Sequence, residues 1–282
     1  MEEGRIPRLS EITAPTQDEL DGRLQAGLIA SLLALAALAW GLTARSAVGM
    51  DMGPGTDLGS LSFYLGTWVL MMAAMMLPSV APMVRAYALM QRSRPAGQRP
   101  GERGASIVAF LAGYLLAWTL FGLAAYAVVD LVRALDVPAF SWARGGPYLA
   151  GGVILLAAVY QLTSSKDACL SHCRDPQGFL AERCHDGLGG ALRLGLEHGG
   201  WCVGCCWALM AALFALGVMS IAWMALVAAL IAAEKLLPWR APASRAVAML
   251  LVVLGLAVAL APERVPGLVI PDSSEMTMQA ME

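Results

Sequence analysis

The stretch HGGWCVGCCWALMAALFALGVMSIAWMALVAALIAA (198–233) runs 36 residues without Asp, Glu, Lys or Arg. As one α-helix it would extend about 54 Å at 1.5 Å per residue. The hydrocarbon core of a bilayer is only about 30 Å thick. The stretch therefore predicts a helical hairpin turned at Gly217–Ser220, with spans over about 201–216 and 219–237. Its opening places four soft metal ligands within nine residues: His198, Cys202, Cys205 and Cys206.

The chain around this hairpin has the same character. Of its 282 residues, 58% are hydrophobic and only 14% charged, whereas soluble domains carry about a quarter charged residues. Further apolar blocks cover about 24–42, 63–83, 107–129, 147–162 and 243–261. The expected fold is an all-α polytopic membrane helix bundle of about seven transmembrane helices. Residues 1–23 read as a disordered polar tail, 24–261 as the transmembrane domain and 262–282 as a second polar tail. The one sizeable polar segment inside the domain, 163–200, reads as a loop rich in Cys and His. Of the 19 Lys and Arg residues, all but Arg45, Arg133, Arg144 and Arg264 fall on the side of the N-terminus. The positive-inside rule then puts the N-terminus in the cytosol. A secretory signal needs a short positive leader and a cleavage site, so the start of the chain reads instead as a cytosolic tail before a retained span. With a net charge of −2 and no basic patch, a nucleic-acid partner is excluded and the lipid bilayer is the expected surrounding.

In this orientation all six cysteines lie in the cytosol or at the inner membrane edge, where disulfides do not persist. Clustered thiols there point to metal or redox chemistry. His198, Cys202 and Cys206 are spaced four apart and share a helical face, with Cys205 beside them. Thiolates and an imidazole form a set that suits Cu(I) or Zn. The bland alternative is that cysteine serves as a small core residue. The loop repeats the pattern in KDACLSHCRDP (166–176), which holds Cys169, His172 and Cys173, and Cys184 and His185 follow. A zinc knuckle that merely folds the loop is the structural alternative.

The second span adds thioethers in AMMLPS (74–79). Met72, Met75 and Met76 are candidate ligands beside Met71, and thioether favours Cu(I) over Zn. Methionine also fills cores. Pro78 cannot donate to the carbonyl of Ala74, so it should kink the helix and free that carbonyl for Ser79, water or an ion. Glu234 and Lys235 end the sixth span, where both can either snorkel to the interface or serve the function. Met50, Met52, Met219, Met224, Met276, Met278 and Met281 lie on the opposite side, either as an entry point for Cu(I) or as parts of a solvated loop and tail.

Together these motifs resemble a bacterial family of predicted metal-binding integral membrane proteins, sometimes labelled copper chaperone. The resemblance rests on Trp68, AMMLPS (74–79), YQLTSSKDACLSHCRDP (160–176), HGGWCVGCCWALM (198–210), GVMSIAWM (217–224) and EK (234–235), and it covers about 60–240. It implies a metal-binding protein of the bacterial inner membrane, with copper as the named metal. The expected function is copper handling, as membrane chaperone or transporter, without enzymatic activity. His198, Cys202, Cys205 and Cys206 would form the main site, completed or approached by Met72, Met75 and Met76. Cys169, His172 and Cys173 would exchange the ion with a soluble copper carrier. A homo-oligomer is compatible with this reading. With no P-loop motif, any transport would be passive or driven by an ion gradient. Two rivals stand. One is a membrane thiol–disulfide oxidoreductase using the CxxC of Cys202 and Cys205. The other is an assembly protein with a structural zinc.

Overall fold

The computed structural model describes residues 17–47, 59–93, 100–135, 145–217, 220–266 and 268. The described residues form helices and short connections: α1 (Gln17–Ala47), α2 (Leu61–Ser93), α3 (Pro100–Ala134), α4 (Gly146–Tyr160), α5 (Ser164–Arg174), α6 (Pro176–Arg183), α7 (Gly187–Leu216), α8 (Ile221–Leu236) and α9 (Arg240–Leu260), then one 3-10 turn at Pro262–Arg264. Met50, Met52, Met219, Met276, Met278 and Met281 lie outside the described residues, as do most of the two tails.

The all-helical expectation holds, and a helix occupies each of the seven expected positions. Among the described residues, five helices are long and apolar enough to cross a membrane: α1, α2, α3, α7 and α9. A sixth is reached if α4 and α5, bent by 67° at their junction, count as one broken span. α8 has 16 residues, which gives about 24 Å of helix against a core of about 30 Å. The hairpin turn falls where the uncharged run predicted it. α7 ends at Leu216, Gly217 takes φ 104°, and α8 begins at Ile221. A positive φ of this kind is one that glycine adopts without steric cost.

The segment 163–200 differs from its reading as a loop. It folds into α5, α6 and the first turns of α7. Its polarity set it apart from the apolar spans, and polarity alone does not exclude short helices. Two of its glycines, with Gly113 on α3, let helices approach. A Cβ at Gly195 would sit 1.9 Å from the carbonyl oxygen of Phe110, and one at Gly113 would sit 2.0 Å from that of Leu192. One at Gly199 would meet the Ala117 Cβ at 2.6 Å. Gly195 and Gly199 on α7 thus mesh with Gly113 and Ala117 on α3, a small-residue seam of the kind that draws membrane helices together.

α7 also packs against α4, α5 and α8. α2 is the most enclosed of the candidate spans and α1 the least. It is fastened to α3 by the Trp68 indole N–H, which donates to the Trp118 carbonyl at 2.8 Å, and by Tyr64 Oη, which donates to Gly122 O at 3.1 Å. Pro78 and Pro82 lie inside α2, and Ser79 Oγ donates to the Met76 carbonyl at 3.0 Å.

The seam makes a sharp contrast between two neighbouring glycines. A Cβ at Gly200 meets nothing within 4 Å. Gly195→Ala is expected to destabilise the protein by about 1–3 kcal/mol through overpacking. Gly200→Ala should be neutral or gain up to about 1 kcal/mol from helix propensity. Thermal unfolding of the two variants in one detergent checks both signs.

Candidate metal centre

Cys202 and Cys205 are one turn apart on α7 and face the same side. α5, folded back over the middle of α7, brings Cys173 to them. The three sulfurs all lie within 4.8 Å of one another, and the Cys173 and Cys205 sulfurs are 3.9 Å apart. Metal–sulfur bonds of about 2.3 Å put sulfurs sharing one ion about 4 Å apart. The spacing therefore fits a common ion. The group contains no carboxylate and none of its cysteines is in a disulfide, so the donor set is purely soft.

Other groups crowd the centre. Cys205 Sγ donates to the Cys202 carbonyl at 3.2 Å and lies 3.3 Å from Cys206 Sγ. Tyr114 Oη, carried by α3, is 3.1 Å from Cys202 Sγ. From α8, Lys235 Nζ donates to Cys202 Sγ at 3.0 Å and to Ser79 Oγ at 3.3 Å. Ser79 Oγ also approaches Met76 Sδ at 3.9 Å. A continuous chain of contacts thus joins the methionine-rich helix α2 to the thiols of α7, through Met76, Ser79, Lys235 and Cys202.

Of the residues singled out in the sequence, Cys173, Cys202 and Cys205 come together and Cys206 adjoins them. Cys169 packs its sulfur over Gly204, where a Cβ would approach it to 2.8 Å. His198 is buried one turn before Cys202, its ring among those of Phe110, Tyr114 and Phe179. Its Nδ1 has no hydrogen-bond partner among the described residues, and its ring nitrogens are not part of the sulfur group. His172 is turned aside. Its ring stacks on Trp201 at 4.0 Å, and Nδ1 lies 2.8 Å from the Ala168 carbonyl. Met72, Met75 and Met76 are all buried in the core.

Tyr114 and the pair Lys166–Glu234 were not foreseen as parts of this region. Tyr114 sits in an apolar span with no spacing to mark it. Lys166 Nζ lies 2.5 Å from Glu234 Oε1, and both side chains are almost fully buried. Arg174 donates to the Glu234 carbonyl at 2.6 Å and also to that of Leu237. It thereby satisfies carbonyls at the end of α8 that have no intrahelical donor. Lys166 and Arg174 staple α5 to α8, and Cys173 lies between them in sequence.

Neither a curated protein nor a solved structure matches this chain. A family model described as copper chaperone matches residues 65–258. That span includes the methionines of α2, Tyr114, the three clustered cysteines and Lys235, and the chain belongs to the copper chaperone family.

Proposed function

We propose that the protein binds Cu(I) as cargo within the membrane, at Cys173, Cys202 and Cys205, and passes it to or from a soluble carrier. The observation that carries this reading is the buried group of three sulfurs on α5 and α7, spaced for one ion and free of hard ligands. Cu(I) is content with two or three soft donors. Zn(II) usually takes four, with nitrogen or oxygen donors commonly among them. Cys206, His198 and the α2 methionines supply further donors around the same core. Cys169 is half-buried, Cys173 is half-buried as a residue but turns its sulfur into the buried group, and Cys202, Cys205 and Cys206 are buried. Cys169 therefore marks the more accessible side of the set, from which a carrier could approach the ion by way of Cys173. The orientation with these thiols on the cytosolic side, the inner bacterial membrane as location and the absence of enzymatic activity belong to this proposal.

The oxidoreductase reading is weaker on one count. Exchange with a substrate disulfide needs an accessible attacking sulfur, and both thiols of the Cys202/Cys205 pair are buried.

Elemental analysis of protein purified in detergent without oxygen tests the proposal. About one copper per chain is expected. Tightly held, non-exchanging zinc would replace the proposal with the structural-zinc protein. Absence of any metal, with a reducible disulfide between clustered cysteines, would replace it with the oxidoreductase.

A further inference from the structure

Lys235 enters the thiol centre in an unusual way. Rooted on α8 and only 9% exposed, it reaches between two other helices to Cys202 on α7 and Ser79 on α2. A lysine near a helix end normally carries its ammonium to water along its flexible stem. Here the head group points inward at a sulfur. The nearest acid in sequence, Glu234, is engaged by Lys166 instead. The Ser79 hydroxyl is neutral, and so is the Met76 thioether behind it. Arg174, a further cation nearby, is directed at the backbone carbonyls of Glu234 and Leu237. Apart from the thiols themselves, Lys235 therefore faces no counter-charge among these contacts.

Resting on the Cu(I) reading of the same centre, we propose that Lys235 is a specificity-determining residue that disfavours divalent ions relative to monovalent ones. An ion held by Cys202 lies within a few ångströms of the ammonium, because the ammonium is 3.0 Å from that sulfur. A fixed positive charge repels a divalent ion twice as strongly as a monovalent one in the same position, and burial keeps water from screening the difference. The thiolates attract the divalent ion more strongly as well, but they do so whether or not Lys235 is present. Removing the lysine charge therefore shifts the balance between the two valences in one direction, towards the divalent ion.

The test uses the full chain in detergent under anaerobic conditions, with Ag(I) and Cd(II) as soft, redox-inert probes of the two valences and Cu(I) as reference. Affinities are measured by competition for wild type, Lys235→Gln, Lys235→Met and Lys235→Arg. Glutamine keeps a donor for Ser79 and Cys202 without the charge, methionine keeps the length of the apolar stem, and arginine keeps the charge. The Cd(II)-over-Ag(I) affinity ratio should rise at least about tenfold in the Gln and Met variants and stay near wild type in Arg. A ratio unchanged in whichever neutral variant folds, with Ag(I) still bound, overturns the inference. So does a ratio that rises equally in Arg, since that would make Lys235 a matter of shape rather than charge. Failure of the wild type to bind Cu(I) and Ag(I) at all would overturn the underlying functional reading, a separate result.

Discussion

Replacing Cys205 by serine is expected to strip copper from the protein, lowering Cu(I) affinity by more than about 100-fold. Cys205 is the hub of the centre. Its sulfur faces Cys173 at 3.9 Å and Cys206 at 3.3 Å, and it donates to the Cys202 carbonyl. Losing even an outer-shell partner of a metal site costs about 10–100-fold in affinity, so losing a central thiolate should cost more. Serine preserves the volume but offers a hard, protonated oxygen to a soft ion. Cys202→Ser and Cys173→Ser should follow the same direction. Cys184→Ser should retain copper, because Cys184 is outside the sulfur group. Competition with a Cu(I) chelator across the four variants gives the ranking. Equal loss in Cys184→Ser, or full retention in Cys205→Ser, would dissolve the assignment of the ion to this group.

That ranking differs from the one the sequence alone suggests, and the difference is instructive. Helical spacing put His198, Cys202, Cys206 and Cys205 on adjoining positions of one helix, and all four are indeed buried on α7. Periodicity within a helix says nothing about which neighbouring helix faces those positions. Cys173 is drawn in by the fold of α5, and α5 lay in a polar segment that read as loop. The hairpin at Gly217 was readable because a bilayer sets a maximum length for an uncharged run. The seam of Gly113, Gly195 and Gly199 was not. A glycine signals permissiveness in a sequence, and only a facing backbone turns that into close approach. The same applies to α8. An acid and a base side by side at a helix end read as interfacial, whereas Glu234 and Lys235 both turn inward, to Lys166 and Cys202.

Lys166→Met is expected to destabilise the protein by about 3–5 kcal/mol, the range for breaking one half of a buried ion pair. The reason lies in what is left behind. Glu234 is 2% exposed, and with Lys166 gone its carboxylate would be held away from water with no ammonium opposite. Glu234→Gln strands Lys166, which is 0% exposed, and should cost a similar amount. The double variant Lys166→Met/Glu234→Leu removes both charges and fills their space with apolar atoms, so it should recover most of the loss. Thermal unfolding in detergent reads all three. Additive losses in the double variant would mean that the two side chains act independently, contrary to their 2.5 Å contact. The single variants should also weaken metal binding without touching a sulfur. The pair and Arg174 hold α5 against α8, and α5 carries Cys173. A centre assembled from two helices is only as tight as the contact that keeps them in register. If Lys166→Met lowers stability but leaves Cu(I) affinity at the wild-type value, Cys173 is placed by its packing on α7 alone, and the staple serves the fold rather than the site.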